Sequence, residues 1–279
     1  MRQSELRPLG NGAKPARGLL HRTISFEHFE LTLIEPSADL ADHVEHHWLI
    51  LWDLGGRPPY VQHNLSHPTQ HLVLNPQERT GIFGMATGRF TYVLEHSGRV
   101  LGTKFRPGAF HGFYRRPVSE LTDTVVPIET AFPRSDSELA AEFLTRNDPL
   151  AMAGRIEDML RAALPPPDPK AARARQLVEL IERSPGLVSV AALAEAAATT
   201  TRSLQRLFDT YVGAGPKWVI DRYRMIEAVE ALNRGEAVNL ADLAARLGYF
   251  DQAHFANAFR ELTGEAPGQY RGGRSQAWS

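Results

Sequence analysis

The sequence predicts an α+β chain in two parts: an N-terminal antiparallel β sandwich or small barrel with trailing helices, and a C-terminal all-α domain. That second domain is read as two tandem helix-turn-helix units joined by a long helix. Three observations carry this. From Ile24 onward the chain is a series of short apolar runs broken by Gly, Pro, Asn and Asp clusters. A proline run, Pro165, Pro166, Pro167, Asp168, Pro169, then interrupts it. Beyond it Leu204, Leu207, Phe208, Gly213 and Pro216 recur 51 residues later as Phe255, Ala258, Phe259, Gly264 and Pro267, which is the self-similarity of a repeated supersecondary unit.

Length and composition bound the answer before any motif does. At 279 residues the chain has room for two cores, and its 43% hydrophobic and 23% charged content is that of a globular protein. No uninterrupted apolar run approaches the ~20 residues that cross a bilayer, and residues 1–22 lack the apolar centre of a signal peptide, so a cytoplasmic location is expected. With no cysteine at all, disulfides, thiolate zinc sites and cysteine nucleophiles are excluded. Net charge is −1, and residues 171–274 hold 13 Lys or Arg against 12 Asp or Glu. A nucleic-acid binder with that balance must concentrate its positive charge on one face.

In chain order, residues 1–22 mix glycine, proline and basic residues without apolar period and read as a mobile leader. The β-rich domain is assigned to 23–164. Its strands are expected at Leu31–Ile34, His47–Trp52, Leu72–Leu74, Phe90–Leu94 and Val100–Phe105, with Leu121–Ile128 closing the sheet. Ser135–Phe143 and Leu150–Leu164 read as helices. Residues 165–170 form a stiff proline-rich linker, because a proline run cannot be helical. From 171 to 274 the pattern is helical throughout. A long helix opened by Pro216 runs to about Leu232, with a broad apolar arc suited to packing against both repeated units.

The second unit shows the helical logic best. A helix over Asp251–Leu262 puts Phe255, Phe259 and Leu262 on one face and Ala253, Asn257 and Arg260 on the other. Asp251 is placed as its N-cap, while Gly264 and Pro267 stop it.

These residues carry a resemblance. Gly248-Tyr-Phe-Asp-Gln-Ala-His-Phe255 with Phe259, Gly264, Pro267 and Tyr270, preceded by Ser203-Leu-Gln-Arg-Leu-Phe208 and Gly213 to Pro216, is similar to the DNA-binding domain of AraC/XylS transcription regulators. The resemblance implies seven helices, and second helices of each unit that enter successive major-groove segments of double-stranded promoter DNA. It assigns DNA contact to Arg202, Ser203, Gln205 and Arg206 in the first unit, and to Gln252, Ala253, His254, Asn257 and Arg260 in the second. Arginine pairs with guanine, Gln and Asn with adenine; Ala253 stands where the family commonly has a longer polar or basic side chain. RNA polymerase and a second copy of the chain are further implied partners. The segment 24–132, notably Val100-Leu-Gly-Thr-Lys-Phe-Arg-Pro-Gly-Ala-Phe110, resembles an uncharacterised N-terminal domain found on many such regulators, which implies a small-molecule effector or dimerisation role.

One competing class remains, a metal-dependent oxygenase-like β domain fused to a DNA-binding module. Its support is a set of histidines: His43, His46, His47, His63, His67, His71 and His111. Helical spacing would align His63, His67 and His71, but Pro68 and the strand-like Leu72–Leu74 argue against a helix there, and adjacent His46 and His47 point to opposite faces of a strand. No metal or cofactor is therefore expected, and an enzyme is not the reading adopted. Trp48, Trp52, Tyr60, Phe83, Phe90, Tyr92, Phe105, Phe110, Phe113 and Tyr114 are read mostly as core, with some of them candidates to line an apolar small-molecule pocket; Arg106-Pro-Gly108 is read as a tight turn before Arg106 is read as a holder of an anionic ligand.

Overall fold

Along β2 (Val44–Asp53) the side chains divide by parity: His47 and Leu49 face one way, Trp48, Ile50 and Trp52 the other. A strand buried on both faces needs two covering layers, and the computed structural model, which describes residues 17–146, 148–234 and 238–271, has both. With β1 (Glu30–Ile34), β4 (His71–Leu74), β5 (Gly81–Phe83), β7 (Ser97–Phe105) and β8 (Val125–Val126), β2 forms a six-stranded antiparallel sheet ordered β1-β2-β7-β4-β5-β8. A two-stranded antiparallel ribbon of β3 (Tyr60–Leu65) and β6 (Arg89–Leu94) covers one face, meeting Trp52, Val73 and Val100 through Leu94, Tyr60 and Tyr92. Beyond the short α1 (Arg22–Ser25), helices cover the other face. Phe113 of α2 (His111–Tyr114), Leu139 and Phe143 of α3 (Asp136–Thr145), and Met152, Ile156 and Leu160 of α4 (Pro149–Ala162) pack on Leu49, Leu72, Leu74, Leu101 and Phe105.

Local signals explain the helix starts. Ser135 and Glu138 form a reciprocal capping box ahead of α3, and Asp148 caps α4 with Pro149 in its first turn. The only ionisable pair buried deep in this domain joins sheet to helix among the described residues: Glu157 of α4 accepts from the Ser37 amide (2.7 Å), the Ser37 hydroxyl (2.5 Å) and His47 Nε2 (3.3 Å). Burial pushes this carboxyl up, but the hydrogen bonds from His47 and Ser37 outweigh it and hold Glu157 below the usual range.

The C-terminal part is α5 (Pro169–Arg183), α6 (Val190–Ala196), α7 (Thr201–Tyr211), α8 (Pro216–Asn233), α9 (Leu240–Arg246), α10 (Gln252–Thr263) and α11 (Pro267–Arg271). α8 is the spine: Val219, Ile220, Tyr223, Ile226 and Val229 are buried in one cluster with Leu204 and Phe208 of α7 and Phe255 and Phe259 of α10. Its apolar arc is wide because it serves both flanking helix pairs.

Three expectations change. β3 lies outside the expected strands, because Gln62-His63-Asn64 lacks an apolar alternation; full pairing with β6 and a side-chain bond from Gln62 to Asn64 hold it instead. The leader expected over 1–22 is packed at 17–22. Leu20 enters the helical core, Leu19 the ribbon side of the sheet, and Arg17 bonds Glu182 (2.7 Å) and Glu227 (3.2 Å); residues 1–16 lie outside the described residues. The linker expected over 165–170 is shorter, since Pro169 already opens α5 and Asp168 caps it, accepting from the Lys170 amide (2.8 Å) and the Tyr211 hydroxyl (2.8 Å).

Candidate nucleic-acid interface

Each helix pair is built on one local plan. After α6, Ala198 takes a left-handed conformation (φ 48°) and the Thr199 amide donates to Ala194 O (3.0 Å); after α9, Gly248 (φ 72°) and Tyr249 N to Ala244 O (2.9 Å) repeat this. Thr200 then caps α7 by accepting from the Ser203 amide, as Asp251 caps α10 by accepting from His254 N (2.7 Å). Each second helix ends on a glycine of positive φ, Gly213 at 99° and Gly264 at 91°, a conformation that side chains other than glycine adopt at a cost.

The faces divide as the spacing predicts. α7 buries Leu204, Phe208 and Tyr211 and exposes Arg202, Ser203, Gln205 and Arg206. α10 buries Phe255, Phe259 and Thr263 and exposes Gln252, Ala253, His254, Asn257 and Arg260. Among the described residues the side chains of Arg202, Arg206, Asn257 and Arg260 make no hydrogen bond or ion pair. Two of the nine have local duties. Ser203 Oγ accepts from Thr200 Oγ1 (3.0 Å), and the His254 ring meets Tyr249 edge-on at 5.3 Å. Tyr249 is itself held under Arg224 of α8, whose guanidinium lies 4.1 Å from the ring centre and whose Nε donates to Leu247 O (2.5 Å). α8 thus fixes the second turn from behind.

What sequence reasoning missed is how the β domain takes hold of both units. At the end of α7, Gln70 Nε2 donates to Val212 O (3.2 Å) and Thr122 Oγ1 to Gly213 O (2.6 Å). At the end of α10, Arg89 Nη1 of β6 donates to Thr263 O (2.5 Å). Val212 and Thr263 are equivalent positions, so the same carbonyl of each repeat is gripped. Helix C-termini leave carbonyls unpaired and carry partial negative charge, which makes them natural acceptors for such donors. Between the two grips, Arg222 of α8 donates to Thr87 O and Gly88 O, stacks over Trp218, and is pushed down to about 10 by burial. The donors are scattered over three β-domain segments with no motif, so no sequence signal marked them.

His67 lies on the same seam, donating to Arg17 O (3.1 Å) and meeting the Tyr223 ring edge-on, while within the sheet His71 Nδ1 accepts from Trp48 Nε1 (3.2 Å). Burial, reinforced by Lys104, pushes His46 down to about 4, His71 to about 3, and His67 well below the usual value. Lys104 is itself paired with Glu45 (2.9 Å), whose carboxyl is raised by burial but held at about 2 by Lys104 and His46. His63 lies on β3, apart from helical register with His67 and His71. Among the described residues no group of three or more His, Asp or Glu converges as a metal site, and no helix is long and apolar enough to cross a membrane.

The fold and the repeated pair define a helix-turn-helix protein, and comparison with known proteins agrees. A family model described as a helix-turn-helix domain matches residues 193–273, and one described as a domain of unknown function (DUF6597) matches residues 32–127. A Streptomyces lividans protein named as an AraC-like transcription regulator is 36% identical over 83 residues, 30% of this chain and 27% of its own length. The HTH-type transcriptional activator RhaS of Escherichia coli is 32% identical over 83 residues, 30% of either chain. The chain therefore spans less than a third of the length of these curated relatives. ToxT from Vibrio cholerae covers 89% of this chain and 100% of its own at 11% identity and a TM-score of 0.41. The C-terminal domain of AraT from Geobacillus stearothermophilus covers 40% of this chain and 92% of its own at 24% identity and a TM-score of 0.34. The C-terminal part of the chain is an AraC-type helix-turn-helix domain, and the N-terminal part is a domain of unknown function.

Proposed function

We propose that this chain is a sequence-specific, DNA-binding transcription regulator of the AraC/XylS type. Its two helix-turn-helix units set α7 and α10 into successive major-groove segments on one side of promoter DNA. The observation that carries the reading is the repeat itself: two second helices, capped and ended alike, each with an unpaired polar face. Arg202 and Arg206 of α7 read guanines; Ser203 and Gln205 flank them. In α10, Asn257 reads adenine and Gln252, His254 and Arg260 lie along the phosphates.

The β domain is the regulatory half. Because it grips the C-terminal carbonyl of both reading helices, an effector that favours one seam geometry over another shifts the relative setting of the two units. The effector is a small molecule, and a second copy of the chain and RNA polymerase complete the partners of this reading. Regulation, not catalysis, is its activity.

Arg206→Ala tests it. Binding of the full chain to its selected duplex should weaken by about 1–3 kcal/mol, while binding to random duplex changes little. Equal loss on both would reduce Arg206 to a phosphate contact, and no preference for any duplex would end the proposal.

A further inference from the structure

The two helix pairs differ by one residue. Up to the turn, equivalent positions stand 50 apart: α6 and α9, Ala198 and Gly248, and the amides of Thr199 and Tyr249 on Ala194 O and Ala244 O. From the N-cap onward they stand 51 apart, Thr200 with Asp251 and Gly213 with Gly264. The second turn therefore holds one extra residue, Phe250, between Tyr249 and Asp251.

Its placement is unlike that of any other large apolar side chain described. Tyr249 turns inward onto Phe255 and Arg224, whereas Phe250 is 93% exposed; the next most exposed, Leu144, is 56%. The inserted phenyl serves no packing in this fold. It stands at the mouth of α10, beside the N-terminal half that a recognition helix presents to base edges. Ala253 follows on that exposed half with only a methyl group, and Asn257 lies one turn on. Beside Gln252 and His254, the exposed start of α10 thus presents two apolar groups, Phe250 and Ala253, with the Asn257 amide one turn on, where that of α7 presents the guanidinium groups of Arg202 and Arg206.

Base edges in the major groove carry one apolar feature, the thymine C5-methyl group, which Ala and Phe side chains contact; Asn pairs with adenine through N6 and N7. Resting on the DNA-binding reading above, we infer that α10 reads an A·T segment, with Phe250 and Ala253 against thymine methyl groups and Asn257 on adenine, while α7 reads the guanine-bearing segment one turn away. The extra turn residue is what lets the second unit read bases although Ala253 is short.

The test uses the full chain and duplexes enriched from a random-sequence library. Enriched duplexes should pair a guanine-containing segment with an A·T segment about one helical turn away. Replacing thymine by deoxyuridine in the A·T segment removes only the methyl group and should weaken binding about fourfold per contacted methyl, the effect of returning one methylene-sized group to water. Phe250→Ser, which touches no core residue, should leave thermal stability unchanged, weaken binding to the thymine duplex, and reduce the thymine–uracil difference. Arg206→Ala should weaken both duplexes and preserve that difference. Indifference of the unsubstituted chain to uracil overturns the inference and leaves the DNA-binding reading standing. So does an undiminished difference in Phe250→Ser, including the case where that variant changes only the oligomeric state. Enrichment of no sequence overturns both.

Discussion

Gly213 and Gly264 offer a matched test of the grip on the reading helices. They are equivalent positions, so alanine at either meets the same left-handed backbone penalty, about 1–2 kcal/mol. Their surroundings differ. A Cβ at 213 would lie 3.3 Å from Val118 O and 3.4 Å from Gln70 Nε2, tight but close to fitting. A Cβ at 264 would run into Arg89 Nη1. That guanidinium ends a flexible chain and moves aside, but moving breaks its hydrogen bond to Thr263 O, a charge-assisted bond worth about 1.5–3 kcal/mol. Gly213→Ala should therefore cost about 1–2 kcal/mol and Gly264→Ala about 2.5–5 kcal/mol. In an Arg89→Ala background the cost of Gly264→Ala should fall back to about 1–2 kcal/mol, a coupling of about 1.5–3 kcal/mol. Equilibrium urea denaturation of the full chain and these variants measures each quantity. Equal costs for the two glycine substitutions, or additivity of Gly264→Ala with Arg89→Ala, would refute the grip.

Glu157→Gln keeps shape but removes the charge that three donors address, so it should destabilise the β domain by about 3–5 kcal/mol, read from a thermal melt. Because the Glu157 carboxyl is held below its ordinary range, its contribution is present above the unfolded value near 4.5 and disappears as pH falls through the lower folded value. His46 and His71, held near 4 and 3, act earlier: the unfolded chain binds protons below about 6.5 that the folded β domain refuses. Stability should fall on acidification from that point by about 1 kcal/mol per pH unit per histidine, and His71→Gln should flatten the slope in denaturation measured from pH 7 to 5. Arg224→Met removes the bond to Leu247 O and the stacking over Tyr249; about 2 kcal/mol of stability should go, and with it base reading by α10 in a footprinting assay.

The two-part α+β organisation, the caps at Asp251 and Gly264, and the faces of α7 and α10 are legible in the residues alone. These follow from period, cap chemistry and backbone freedom, all of which act within a few residues. The same locality made five of the six longest strands readable and hid β3, whose polar centre takes its stability from β6. It also misplaced the leader, because Leu19 and Leu20 acquire meaning only from two cores built by residues far along the chain. The tertiary structure alone decided the grip of Gln70, Thr122 and Arg89 on carbonyls more than eighty residues away, and the single-residue difference that sets Phe250 in water. A hydrogen bond between distant segments leaves no spacing to read. An inserted turn residue shows its direction only when its neighbours, Tyr249 inward and Asp251 on the helix, have taken theirs.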